Sequence, residues 1–288
     1  MSILMDAIAK WLKGVLIDGI MGNLGGLFDN VNAQVGQVAG MAGQTPSAFN
    51  PGVFSLIRTI SETVVLPIAG VLLTFIMTWE LIQLIMERNN LHEIDTWIFF
   101  KWIMKTFIAV LILSNTFNIV MGVFDVTQSV VHSAAGIISG STDVTTGMMD
   151  ALRTQLEGLD VGPLLGLWLQ SLIIGVVVVA MNIVVFVIIY GRMIEIFLLT
   201  SLAPLPMATL TSREMGGMGQ NYLKSLLAVG FQGLLIMVCI AIYAVLIQSI
   251  ATSGDPFGAI WAAIGYTVLL CFTLFKTGTI SKSIFGAH

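Results

Sequence analysis

The strongest constraint on this chain is an apolar run that contains its own break. Residues 161–191 carry no charge, and the apolar character continues past Arg192 and Glu195 into Ser201-Leu202-Ala203-Pro204-Leu205-Pro206 before ending in a glycine-rich stretch over 212–220. About 20 apolar residues suffice to cross a bilayer. In lipid every backbone N–H and C=O must be bonded within the protein, so two prolines at membrane depth are tolerated only where protein or a water-filled cavity covers the freed groups. The break points to a pathway or a packed assembly more than to an anchor.

Composition agrees with a polytopic membrane protein. The 288 residues are 57% hydrophobic and 10% charged, with a mean hydropathy of +0.96, against roughly 25% charged in a soluble domain. Residues 225–254 and 256–275 are further uncharged runs. Asp6, Lys10 and Lys13 interrupt the apolar positions at the start, so no secretory signal is read there and insertion is expected to rely on internal helices. A net charge of −4 gives no indication of a nucleic-acid surface, which would read as a basic patch or stripe, and the placement of the charges matters more than their sum. Cys239 and Cys271 lie inside uncharged runs and read as small hydrophobes rather than a disulfide.

Along the chain, Leu4, Ile8, Trp11, Leu12, Val15 and Leu16 recur at helical spacing over residues 2–21 with Asp6, Lys10, Lys13 and Asp18 interleaved. This amphipathic helix has two readings, one lying on the membrane surface and one packing on a partner or on the protein's own bundle. Residues 22–51 read as a loop or weak helix outside the bilayer, with turns at Thr45-Pro46 and Asn50-Pro51. Spans are expected at 63–86 and from Trp97 to about 123. Lys101 and Lys105 stand between Trp97 and Trp102, where cationic side chains snorkel beside an aromatic belt. Residues 124–160, rich in Ser, Thr and Gly and holding Asp125, Asp143, Asp150, Glu157 and Asp160 against the single basic Arg153, read as a long loop. Further spans follow at 163–190, 225–250 and 257–275, with the broken segment at 193–211.

Basic residues near span ends set orientation. Placing Arg88, Lys101 and Lys105 in the cytoplasm puts the acidic 124–160 segment outside. A full crossing by 193–211 would then leave Arg213, Lys224, Lys276 and Lys282 outside, four violations of the rule. A hairpin that dips in and returns removes them. The expected fold is therefore an all-α transmembrane bundle of about five spans plus a proline-broken re-entrant hairpin at 193–211, N-terminus out and C-terminus in. Its divisions are an extracytoplasmic 1–61, a first pair of spans at 62–123, an extracytoplasmic loop at 124–160 and a C-terminal bundle at 161–288. Six full spans are the alternative.

Catalytic chemistry finds little footing. His92, His132 and His288 are scattered and lack partners at metal-ligand spacing. Lys224-Ser225 lacks the glycines of a phosphate loop, and no Gly-x-Ser-x-Gly is present. No enzyme, cofactor or metal site is expected. Charges at membrane depth are better leads, since each costs about 2.5–3.5 kcal/mol to bury on insertion scales. Glu80 sits late in the first span, and Arg192 and Glu195 are spaced to pair on one helix face. They either line a polar path and hold helices together or snorkel and pair locally. Gln170, Asn182, Gln232 and Gln248 read as interhelical glue. Gly158, Gly162 and Gly166 are spaced for close helix approach, with chance spacing as the competitor. The 16 methionines form no cluster of close repeats and read as packing.

Residues 201–214, Ser-Leu-Ala-Pro-Leu-Pro-Met-Ala-Thr-Leu-Thr-Ser-Arg-Glu, and 220–233, Gln-Asn-Tyr-Leu-Lys-Ser-Leu-Leu-Ala-Val-Gly-Phe-Gln-Gly, resemble the TrbL-type polytopic membrane proteins of conjugative type IV secretion systems, equivalent to the sixth component of the VirB series. The likeness is nearest to versions on conjugative elements of Gram-positive bacteria. It covers most of the chain in layout and is concentrated at 190–246. The resemblance implies a non-enzymatic subunit of a translocation channel in the cytoplasmic membrane, working with ATPases, a coupling protein and bitopic scaffold subunits to pass DNA and protein. It carries Pro204, Pro206, Arg213, Gly219, Lys224 and Gln232 into the cytoplasmic mouth and subunit contacts. The chain lacks the long hydrophilic tail of many Gram-negative relatives, which puts tail-borne contacts in doubt. Self-association into a homo-oligomer would bury the polar faces of broken helices. A secondary transporter or ion channel for a small solute, using Glu80 or Glu195, is the alternative, although Pro204-Leu205-Pro206 has no matching double break in residues 1–123. A membrane scaffold or immunity factor is a third reading.

Overall fold

The computed structural model describes residues 2–86, 96–139, 146–251 and 256–287. Arg88, His92, Asp143, Ser253, Gly254, Asp255 and His288 lie outside the described residues. Among those described, all regular structure is helical. Five helical stretches are long and apolar enough to cross a membrane: Pro51–Met86, Trp97–Ser114, Val161–Leu202, Gly216–Ile250 and Phe257–Phe285. The all-α polytopic reading holds.

In chain order the helices are α1 (Ser2–Ala42), α2 (Pro46–Phe49), α3 (Pro51–Ile60), α4 (Leu66–Met86), α5 (Thr96–Ser114), α6 (Thr116–Ser139), α7 (Thr146–Glu157), α8 (Val161–Leu202), α9 (Pro204–Thr209), α10 (Gly216–Ala251) and α11 (Pro256–Phe285), with a π turn over Ser61–Val65. They form two compact units. The first comprises Met1–Gly43, Val131–Tyr190 and Gly233–Thr277; the second comprises Gln44–Val130, Gly191–Gln232 and Gly278–His288.

In the first unit, Leu16, Ile20, Leu27 and Val31 of α1 are buried with Leu152 and Leu156 of α7 and Leu164, Leu167 and Ile174 of α8. The weak-helix alternative for residues 22–42 is the one realised, because Leu24, Leu27, Phe28, Val31 and Val38 return to one face often enough for packing to override a glycine- and asparagine-rich composition. The N-terminal helix packs on the protein's own bundle from Leu12 onward, whereas Leu4, Ile8, Trp11 and Val15 are exposed. Asn23 Nδ2 donates to Ser171 Oγ at 2.8 Å and Gln34 Nε2 to Asn182 Oδ1 at 2.7 Å. Both pairs have the same offset in sequence, so α1 and α8 run parallel in fixed register. Gly19 belongs to the same seam: a Cβ there would lie 2.6 Å from the Trp168 indole nitrogen. Arg153 of α7 reaches Asp18 at 2.9 Å. Gly162 and Gly166, by contrast, meet open space, so their spacing serves no close approach among the described residues.

The expected loop over 124–160 is corrected to helix in its described parts, 124–139 as the second half of α6 and Thr146–Glu157 as α7. Its Ser, Thr and Gly content masked a buried stripe of Phe124, Thr127 and Val131 in α6 and of Leu152 and Leu156 in α7. Likewise the second span does not run unbroken to residue 123. It turns at Asn115, whose side-chain amide donates to the Leu111 carbonyl at 2.9 Å.

In the second unit, Thr45 and Asn50 cap α2 and α3, each followed by proline at the first helical position. The π turn precedes Pro67, which cannot donate to the Thr63 carbonyl; widening the turn shifts the ladder past that gap, with Leu66 N–H bonding Ser61 O. Val120, Phe124, Met193, Ile196, Tyr222, Leu226 and Val229 form one core, and Ala69, Leu73, Ile76, Met77, Ala109, Leu113 and Ala208 another.

The parallel register of α1 on α8 is testable by paired cysteines. Asn23→Cys with Ser171→Cys, and Gln34→Cys with Asn182→Cys, are expected to be joined by a short bifunctional thiol reagent. Asn23→Cys with Asn182→Cys, about 16 Å apart along the axis at a 1.5 Å rise per residue, is not. Cross-linking of the mismatched pair alone would overturn the register.

Candidate functional site

The nine residues singled out from the sequence all fall in the second unit, and the structure gathers them into three neighbourhoods. The first is a corner. The stretch 193–211 is not a separate helix: 193–202 completes α8 and α9 follows after Ala203. Pro204 removes the N–H that would have bonded the Thr200 carbonyl, and Ala203 N–H takes that carbonyl at 3.4 Å in a tighter turn. Hydroxyls cover neighbouring carbonyls: Thr200 donates to Ile196, Ser201 to Leu198 and Thr209 to Pro206, each at 2.8 Å. Ala208 of α9 lies in the core with Ala69, Leu73 and Met77 of α4 and Ala109 and Leu113 of α5. On its other side is Gly219 of α10, where a Cβ would stand 2.7 Å from the Pro206 carbonyl oxygen and 2.8 Å from Leu210 Cα. These neighbours are backbone and cannot swing aside. Pro204, Pro206 and Gly219 are therefore parts of one joint.

The second neighbourhood is built on Glu80, which is 7% exposed. Its Oε2 accepts from Lys105 Nζ at 2.6 Å and its Oε1 from the backbone N–H of Arg213 at 2.9 Å. Trp102 Nε1 donates to the Met77 carbonyl at 3.0 Å, fixing α5 on α4 beside this pair. Gln83 donates to Glu214 at 2.6 Å. Together Glu80, Gln83, Lys101, Trp102, Lys105 and Arg213 border a cleft of about 330 Å³.

The third is a hub on α10. Arg192, 5% exposed, donates through Nε to the Val229 carbonyl and through a terminal nitrogen to the Gly230 carbonyl, both at 3.0 Å. Seven residues further along α8, the Leu199 carbonyl accepts from Tyr222 Oη at 3.0 Å. The two contacts run in opposite sequence directions, so α8 and α10 are antiparallel here. Ser281 of α11 donates to the Ala228 carbonyl. Gln232 is buried against Gly278, where a Cβ would approach its amide nitrogen to 3.3 Å. Gly230 faces Thr127 of α6, with a Cβ only 2.8 Å from the threonine methyl. The spacing of Arg192 and Glu195 suggested a pair along one helix. The structure gives Glu195 a bond to Lys282 of α11 at 2.7 Å, and Arg192 turns across to α10. Lys224 is exposed on α10.

Sequence reasoning missed Lys282, Ser281 and Thr127 as members of the hub, since no local spacing links them to α8 or α10. Lys105 carried a signal, an opposite charge in the first half of its span, as Glu80 stands late in its own. Chemically, the arrangement orients helices and holds charge. Cys239 and Cys271 are free thiols.

Residues 31–204 match the family described as TrbL/VirB6 plasmid conjugal transfer like protein. The match spans more than half the chain and ends at Pro204, with Pro206, Arg213, Gly219, Lys224 and Gln232 beyond it. Neither the comparison with curated proteins nor that with solved structures found a match.

Gly219→Ala is expected to destabilise the protein by about 1–3 kcal/mol through overpacking. Gly217→Ala, where a Cβ meets nothing within 4 Å, is expected to be neutral or stabilising; thermal unfolding in detergent compares them. For the Glu80–Lys105 pair, a double-mutant cycle of Glu80→Gln and Lys105→Gln is expected to show coupling of about 0.5–3 kcal/mol, and strictly additive effects would deny the pair any role.

Proposed function

The chain belongs to the TrbL/VirB6-like plasmid conjugal transfer family, and on that premise we propose that it is a non-enzymatic channel subunit of the cytoplasmic membrane in a type IV secretion machine. In this reading it assembles with copies of itself and with the machine's ATPases, coupling protein and bitopic scaffold subunits, and helps DNA and protein across. The observation that carries the conduit is the outward face of α1. Asp18, Gly22, Gly26, Asp29, Ala33, Gln37 and Gly40 form one exposed stripe on a helix bound in register to the uncharged part of α8. Lipid is a poor neighbour for such a face, because a carboxylate costs about 2.5–3.5 kcal/mol in hydrocarbon even on the lenient scale. Water or another protein chain suits it. A ring of subunits with these stripes inward would supply a polar lining from a largely apolar protein.

The same reading places the N-terminus outside, the C-terminus inside and 193–211 as a segment that returns to the side it came from. It is supported by the antiparallel contacts of α8 and α10 and by the short α9 folded onto α4 and α5. The family match favours this role over a small-solute transporter.

Disabling the gene in a conjugative donor is expected to abolish DNA transfer, and unaltered transfer would sink the proposal. Cysteines at Gly26 and Ala33 are expected to react with a membrane-impermeant thiol reagent and to block transfer when modified, while one at buried Val31 stays unreactive. For orientation, Ser212→Cys is expected to label from the cytoplasmic side; labelling only from outside would refute the returning segment.

A further inference from the structure

The exposed side of α5 joins two surfaces of opposite character. One is the cleft bordered by Glu80, Lys101, Lys105 and Arg213. The other is an open groove of about 450 Å³ whose walls include Trp97, Phe100, Met104 and Ile108, together with the same Lys101 and Lys105. The four apolar side chains stand at three- and four-residue intervals and are exposed by 55, 51, 43 and 47%. At 1.5 Å per residue, 97 to 108 spans about 16 Å. That is half of the ~30 Å hydrocarbon core, the depth of one leaflet. The rings of Trp97 and Phe100 stack at 5.4 Å, and Lys101 Nζ sits over the Trp97 ring at 5.6 Å.

Charge decides what covers this face. Among the described residues that line the cleft, Glu80 is the one carboxylate, and both its oxygens already accept hydrogen bonds from Lys105 and Arg213. Glu214 accepts from Gln83 at the same rim. Against Glu80 and the rim's Glu214, the described residues carry Lys101, Lys105 and Arg213, a surplus of one cation at the head of an apolar groove one leaflet deep. Basic pockets beside membrane helices attract anionic headgroups in this way.

We propose that the α5 face is a binding site for an anionic phospholipid, its phosphate at Lys101 and Lys105 and an acyl chain along Trp97, Phe100, Met104 and Ile108. Shape alone suits any lipid; the charge selects the anionic ones. The site is independent of whether the chain lines a conduit.

The test uses the full-length protein in detergent, with retained lipid read by native mass spectrometry after equilibration with equal phosphatidylglycerol and phosphatidylcholine. Preferential retention of phosphatidylglycerol is expected. Lys101→Gln, a change at an exposed side chain outside the Glu80 pair, is expected to lower that retention about fivefold, the worth of one interfacial cation, while Lys101→Arg keeps it. Phe100→Ser is expected to weaken retention of both lipids, as loss of the apolar wall requires, with unfolding temperature checked for each variant. Equal retention of the two lipids, or a preference unmoved by Lys101→Gln, would overturn the proposal. Displacement of the lipid by millimolar inorganic phosphate would overturn it too, since a free anion would then suffice.

Discussion

A guanidinium inside an apolar protein must find acceptors, and Arg192 finds two consecutive helix carbonyls, at Val229 and Gly230. Those carbonyls belong to the ladder of α10 and offer their second lone pairs. The planar fork of arginine reaches two of them at once, which the point charge of lysine does less well. With Tyr222 bonding Leu199, this fixes α8 against α10 in an antiparallel register. The register then settles where the proline corner falls and brings Gly219 under the Pro206 carbonyl. Losing Arg192 would therefore release more than one contact.

Around that bond the second unit uses small residues where a soluble protein would use bulk. Between lipid-solvated helices there is no hydrophobic drive to associate, so close approach and interhelical hydrogen bonds take its place. Gly230 admits Thr127, Gly278 admits Gln232, and Ser281 bonds the Ala228 carbonyl. The first unit solves the same problem with amide and hydroxyl pairs, Asn23 with Ser171 and Gln34 with Asn182. Asn182 is legible in the sequence as glue; its partner Gln34 is not, because it stands in a glycine- and asparagine-rich stretch that reads as loop or weak helix.

What the sequence disclosed follows from which signals are local. Uncharged length is local, so the spans at α4, α8, α10 and α11 were readable, as was the break at Pro204 and Pro206. Proline's missing N–H needs no tertiary context. Helix in 124–160 was not readable, since Ser, Thr and Gly argue against it residue by residue and only the burial of Phe124, Val131, Leu152 and Leu156 outweighs them. The structure brings several of the candidate residues together, but not as the pairs their spacing suggests. Arg192 and Glu195 are neighbours in sequence, yet the acceptors and donors shown for them come from α10 and α11. Three-residue spacing says that two side chains can meet; it cannot say that a better acceptor stands across the helix interface.

The corner itself is better described as a stiff joint than as a flexible gap. The carbonyl freed by Pro204, that of Thr200, accepts from Ala203 N–H, the hydroxyls of Thr200, Ser201 and Thr209 bond carbonyls nearby, and α9 is held by Ala208 in the α4–α5 core and by Gly219. A joint gripped this way moves with its neighbours or not at all. The Arg213 N–H extends the same argument to the Glu80 cleft, since it bonds the carboxylate from the turn that launches α10. Whatever changes the charge balance at Glu80 and Lys105 thus acts directly on the start of α10, and through the Arg192 contact on α8. The two prolines do not loosen the chain; they let a sharp turn be built between α9's contacts with α4, α5 and Gly219.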